Sequence, residues 1–332
     1  MIQHRCDLEA LDAKAKRELL ALLLRQKAIE SGEPFPLSLG QEALWFLHES
    51  APENPAYNIA FCARVRARVD AKRLEAALLK VMERHPMLRC IFIGSGPQLR
   101  QRIQPTPERC LEKVDASSWS EEELQGRIQQ SFDRPFDLVA GPVFRATLFS
   151  RHDTDHVLLI AVHHIIFDGY SFGYLLNELG ALYEGNNVAS LPLPGSYAEF
   201  VSWQRAMLDS AEGNKAWEYW RGRLHGVSPV DLPSDYPRPA ARKMIGATHH
   251  FELDASLSPR LREFARAENV TPFMVLATAF HALLHRYTGA PEVPVGVPLA
   301  GRSRREFGSN PCAGRARTPR LAAQLCQGCG DL

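Results

Sequence analysis

The chain is 332 residues long, 45% hydrophobic and 23% charged, with a formal net charge of +1. That is enough apolar material for two lobes with cores of their own, and it excludes a disordered chain. The near-zero charge removes the electrostatic case for nucleic acid as a main partner, and no apolar run approaches the roughly 20 residues of a membrane span.

The opening stretch from Met1 carries charges where a signal peptide needs its apolar core, so a soluble, cytoplasmic protein is expected. Seven cysteines, an odd number, argue against a closed disulfide framework. Cys326 and Cys329 have the spacing of half a zinc knuckle or a redox pair. No second such pair stands near them, so they read as reduced thiols and no metal site is expected.

In chain order, residues 8–30 repeat Leu8, Ala15, Leu22 and Ile29 every seven positions, which predicts an amphipathic linker or docking helix. Glu33-Pro34-Phe35-Pro36 breaks it. Ile59, Phe61, Ala63, Val65, Ala67 and Val69 then alternate with Arg64, Arg66 and Arg68, a half-buried strand with a charged outer face. Asp70 can cap a helix whose stripe is Leu74, Ala77, Leu78, Val81 and Met82. Strands are predicted at Leu88–Ile93, Val143–Phe149 and His156–Val162, and a helix from Ser171 to Glu184.

Beyond a loop at Asn186–Pro194 comes an aromatic-rich helical segment with Trp203, Trp217 and Trp220, then a proline-rich crossing at Pro229–Pro239. A strand at Thr248–Leu253, helices at Pro259–Glu268 and Pro272–Tyr287, and a strand at Val293–Val297 follow. Mixed elements without a regular βαβ repeat give an α+β (mixed α/β) class in two lobes, with the lobe boundary near residues 185–200. Residues 308–332 hold no Phe, Tyr, Trp, Ile or Val and read as a disordered tail.

The chemistry-bearing run is His163-His164-Ile165-Ile166-Phe167-Asp168-Gly169, placed where an apolar strand ends and a helix begins. A rigid strand end can hold a reactive side chain while its tip stays open. Two successive histidines face opposite ways, which makes His164 the working base and His163 its support. Asp168 would orient His164 or pin the turn. Gly169 would allow a positive φ and close approach, with its N–H as an oxyanion donor. The letters alone also fit a core histidine pair beside a capping aspartate. Nucleophile-elbow, phosphate-loop and dinucleotide motifs are missing. His281 and His285 have the i, i+4 spacing of a zinc pair without the neighbouring glutamate or a third ligand.

Other stretches extend the pattern in order. They are Ser38-Leu39-Gly40-Gln41 through Leu47, Arg84-His85-Pro86-Met87-Leu88-Arg89, Phe136-Asp137-Leu138 with Gly141-Pro142 and Arg145, Tyr197 through Gln204, and Gly296 through Arg302. Together they resemble the condensation domain of nonribosomal peptide synthetases over residues 35–307. Pro86 stands where Glu is usual in that family, and Cys90 where Thr is usual.

The resemblance implies a two-lobed, chloramphenicol acetyltransferase-like fold with the active site between the lobes. It implies peptide-bond formation between an acyl or peptidyl thioester and an aminoacyl thioester. Both would be held on phosphopantetheine arms of upstream and downstream carrier domains beside an adenylation domain, with no cofactor bound directly. His164, His163, Asp168 and Gly169 take the catalytic motif, and Arg84, Arg89 and Ser171 support it. The expected division is 1–34 linker or docking helix, 35–190 motif-bearing lobe, 191–307 partial second lobe, and 308–332 atypical tail. Because 308–332 matches nothing in the family, an incomplete second lobe with weak or absent activity is expected. The alternatives are a stand-alone acyltransferase of the same superfamily or a truncated, non-catalytic carrier-docking remnant.

Overall fold

The computed structural model describes residues 32–186, 195–228, 230–237, 249 and 251–297. The predicted helix at 8–30, the tail at 308–332 and four of the cysteines lie outside them. The described residues fall into two compact units, one running to Asp209 and the other beginning at Ser210.

In the first unit, α1 (Leu39–Ser50) starts at a reciprocal cap. Ser38 accepts from the Gln41 N–H, and the Gln41 side chain accepts from the Ser38 N–H. β1 (Asn58–Val65) stops short of the predicted Val69, because its partner strand begins at Asp155 and leaves nothing to pair beyond Val65. Arg64 does not stand alone on the outer face. It donates twice to Asp155 at 2.7 Å and reaches Glu121 at 3.0 Å.

The stripe on α2 (Ala71–Arg84) is buried as predicted, and Asp70 caps it by accepting from Lys72 and Arg73. β2 (Cys90–Ile93) begins two residues later than expected, since Pro86 opens a single tight turn to Arg89 first. Its hairpin to β3 (Arg100–Ile103) needs Gly94, whose φ is +82°; a Cβ there would lie 2.6 Å from the Gln98 carbonyl.

β4 (Leu111–Asp115) and α3 (Glu121–Asp133) follow, then β5 (Phe144–His152) and β6 (Asp155–His163). Four strands form one sheet in the order β1-β6-β5-β4, antiparallel except for the β4–β5 pair. One core joins Phe144, Leu148, Leu158, Ile160 and Val162 to α2 and to α4 (Gly169–Tyr183). A second, smaller core joins Phe149, Val157 and Leu159 to Leu124 and Ile128 of α3. The sheet is therefore covered on both faces.

α5 (Tyr197–Leu208) also belongs to this unit, which carries it past the boundary expected near 185–200. The reason is a buried polar seam. The Tyr197 hydroxyl donates to Ser38 Oγ at 2.8 Å, and the Leu39 N–H donates to the Gln204 side chain at 3.1 Å.

The second unit holds α6 (Ala211–Leu224), α7 (Leu257–Ala267) and α8 (Pro272–Thr288). Thr271 caps α8, Pro272 takes its first position and Gly289 ends it in the left-handed conformation. The predicted strands at Thr248–Leu253 and Val293–Val297 do not form among the described residues. Strand propensity becomes a strand only where a partner supplies the ladder, and none of the described residues pairs with either segment. Among the described residues no helix is long and apolar enough to cross a membrane.

Candidate active site

β6 is buried from end to end and stops at His163, so the two histidines straddle the strand's tip. His163 still pairs across the sheet with Asn58 and is 4% exposed; His164 is the first residue beyond the strand and is half-buried. Ile165, Ile166 and Phe167 are fully buried, which anchors the turn in the core and leaves its histidine edge at the surface.

His163 sits in an aromatic box. Phe136 and His48 each meet it edge to face at 6.1 Å between ring centres, and Tyr57 stands at 6.4 Å. Arg145 lies 3.7 Å from the centre of the Phe136 ring, over its face, and donates to the Pro135 and Arg134 carbonyls. Burial, reinforced by neighbouring His48 and His164, pushes the His163 pKa down to about 3. The ring is therefore neutral. Its Nδ1 accepts from the Ile165 N–H at 3.1 Å, which puts the proton on Nε2.

His164 has the opposite tautomer. Its Nδ1 lies 2.5 Å from the Phe167 carbonyl, and a carbonyl can only accept, so Nδ1 carries the proton. Nε2 is left as the ring's acceptor. The main chain is held as firmly, with the His164 N–H donating to the Tyr57 carbonyl at 2.8 Å.

Asp168 is buried and caps α4. It accepts from the Ser171 N–H at 2.9 Å and from the Ser171 hydroxyl at 2.6 Å. Gly169 does not take the positive φ expected of it; it is the first helical residue of α4, because a residue directly after an N-cap must already be helical. A Cβ there would meet no atom within 4 Å, so the protein's own packing does not demand a glycine. The N–H groups of the first turn of α4 begin at Gly169, with that of Ser171 held by Asp168, and helix starts favour anionic oxygen.

Arg89 donates from Nε to the Met82 carbonyl at 2.9 Å and from Nη1 to the Gln104 carbonyl. Arg84 donates to Glu178 on α4 at 3.2 Å. His281 and His285 turn Nδ1 to the carbonyls of Ala277 and Ala290, and among the described residues no group of His, Cys, Asp and Glu could hold a metal ion. Sequence reasoning missed His48, Tyr57 and the Phe136–Arg145 stack. The first two carried no signal, and the stack lay unread inside the Phe136–Arg145 stretch. The site can take a proton at His164 Nε2 and offer backbone donors at the start of α4.

A family profile described as "Condensation domain" matches residues 32–313. Phosphinothricin tripeptide synthetase PhsC of Streptomyces viridochromogenes is 38% identical over 284 residues, covering 82% of this chain and 26% of that protein. The chain thus spans about a quarter of that relative. The first condensation domain of the calcium-dependent antibiotic synthetase, in complex with a substrate analogue, superposes with a TM-score of 0.71 at 24% identity, over 85% of this chain and 68% of that one. The SgcC5 protein of Streptomyces globisporus, solved with a naphthyl ethanediol and sucrose, gives a TM-score of 0.66 at 29% identity, over 84% of this chain and 66% of that one.

Proposed function

The chain belongs to the condensation-domain family, and from that premise we propose that it joins a carrier-bound acyl or peptidyl thioester to a carrier-bound amine. The relatives are large nonribosomal peptide synthetases, so the substrates are read as arriving on phosphopantetheine arms of neighbouring carrier domains in the cytoplasm, beside an adenylation domain. The observation that carries this reading is half-buried His164 at the tip of a buried strand, with Nδ1 fixed by the Phe167 carbonyl and Nε2 left as the ring's acceptor.

The reaction follows from those groups. The acceptor amine attacks the thioester carbon, and His164 Nε2 takes the proton that the nitrogen sheds. Charge then gathers on the former carbonyl oxygen, which the Gly169 N–H stabilises. The tetrahedral adduct collapses, the C–S bond breaks, and the imidazolium returns its proton to the departing thiolate. His163 stays neutral and spends its Nδ1 on the Ile165 N–H, so its part is to hold the strand tip. Asp168 holds the start of α4 through Ser171. Because both substrates arrive tethered, positioning supplies much of the rate.

The test presents the chain with an acyl-loaded donor carrier and two acceptor carriers, one ending in an amine and one in a hydroxyl. Intact-protein mass spectrometry then follows transfer. Acyl mass moving to the amine carrier supports the reading. Transfer to the hydroxyl alone would replace it with an ester-forming acyltransferase, and carrier binding without transfer would replace it with a non-catalytic docking module.

A further inference from the structure

α2 and α4 pack through aliphatic side chains, Leu74, Leu78, Val81 and Met82 on one helix and Leu175, Leu179 and Leu182 on the other. Into this apolar neighbourhood α4 inserts a carboxylate. Glu178 is 8% exposed, and a lone carboxylate buried so deeply is costly unless paired. Two residues at the end of α2 meet it: His85 Nε2 at 2.5 Å from one oxygen and Arg84 Nε at 3.2 Å from the other. Burial would raise the Glu178 pKa, but the bonds from His85 and then Arg84 outweigh it and hold the carboxyl below its usual range.

His85 is 1% exposed and its Nδ1 has no partner among the described residues. The cluster is thus one buried carboxylate held from two sides, by a guanidinium and by an imidazole.

Apolar packing is non-directional and tolerates a helix sliding along its axis; a two-pronged clasp on one carboxylate does not. Glu178 lies nine residues after Gly169, or about 14 Å along the helix at 1.5 Å per residue. The first turn is held at its base by the Asp168 cap on buried Ser171 and by Phe172 against Phe167 at 4.8 Å between ring centres, while Gly169 and Tyr170 on its outer side are exposed. We propose that Glu178 is a positioning residue: clasped by Arg84 and His85, it sets the axial register of α4 and so the aim of the Gly169 N–H at its start. This rests on the oxyanion role given to that N–H above, and one arm of the test is independent of that role.

The experiment compares Glu178→Gln, Glu178→Asp and, as a control for general destabilisation, Leu124→Ala in the separate core under α3. Amide hydrogen exchange is read for the first turn of α4 and for α3, and kcat and KM are read for transfer between loaded carriers. Both Glu178 variants are expected to speed exchange at residues 171–174, the first protected amides of the helix, about tenfold while α3 is unchanged. They should lower kcat about tenfold or more with KM held, since misplacement near 1 Å costs on that scale or above. Leu124→Ala should do neither at a matched fall in melting temperature. Unchanged exchange at 171–174, or a kcat loss that Leu124→Ala reproduces, would overturn the proposal. Should the wild-type chain transfer nothing, the function proposed above falls, and exchange alone decides whether the clasp sets the helix.

Discussion

Acidifying the protein from about pH 8 to about pH 5 should cost roughly 2 kcal/mol through His163 alone. In the unfolded chain this histidine titrates near 6.5; in the fold, burial together with His48 and His164 brings it to about 3. Between those values the unfolded state binds the extra proton, so stability rises with pH and is lost as pH falls from about 6.5 toward 3. At about pH 5 an unfolded histidine is almost fully protonated and the buried one is not, and RT ln(1 + 10^1.5) gives the roughly 2 kcal/mol quoted. The perturbation that isolates it is His163→Asn, whose side-chain oxygen can take over the Ile165 N–H. Urea denaturation of both proteins across the pH range is the assay. The variant should start less stable at high pH, because it empties part of the aromatic box, and then lose about 2 kcal/mol less than wild type on acidification. Parallel curves would show that His163 is not buried neutral, and the account of the strand tip would go with it.

Two other substitutions separate structure from chemistry. Asp168→Ala removes the cap on α4 and should cost about 1–2 kcal/mol in denaturation, with activity falling alongside stability; a variant as stable as wild type but inactive would mean that the carboxylate acts on substrate. Gly169→Ala adds a Cβ that meets nothing among the described residues. Its stability should hold or rise by up to about 1 kcal/mol while transfer falls about tenfold, and unchanged transfer would remove substrate from the neighbourhood of Gly169.

What was legible in the letters follows from where each signal resides. β6 announced itself because a strand covered on both faces needs an unbroken apolar run, and Val157–Val162 is one. The α2 stripe and the Asp70 cap were legible for the same local reason. α3 was not, because it buries only Leu124 and Ile128 in a stretch otherwise polar. β4 went unread too, a short edge strand whose parallel partner lies some thirty residues on.

The histidine pair could be read as a divergent pair from strand geometry alone. Its surroundings could not, since His48, Tyr57 and Phe136 come from distant parts of the chain and meet His163 only once the sheet has formed. The expected positive φ at Gly169 failed because glycine there was read as backbone freedom, while the neighbouring Asp168 cap already imposed a helical residue. The Glu178 clasp was hidden for a related reason. A glutamate in an amphipathic helix reads as solvent-facing until the helix packed against it supplies Arg84 and His85.

The central claim is that His164 Nε2 takes the proton in amide formation, and a single-turnover comparison of wild type with His164→Ala tests it most directly. Both proteins are mixed with the same acyl-loaded donor and aminoacyl-loaded acceptor carriers, after circular dichroism and carrier binding have shown that the variant is folded and docks. The half-buried imidazole supports no core, so the variant should fold and bind normally and form amide about a hundredfold or more slowly. A variant that forms amide within a few-fold of the wild-type rate would contradict the assignment and leave positioning alone to account for the reaction.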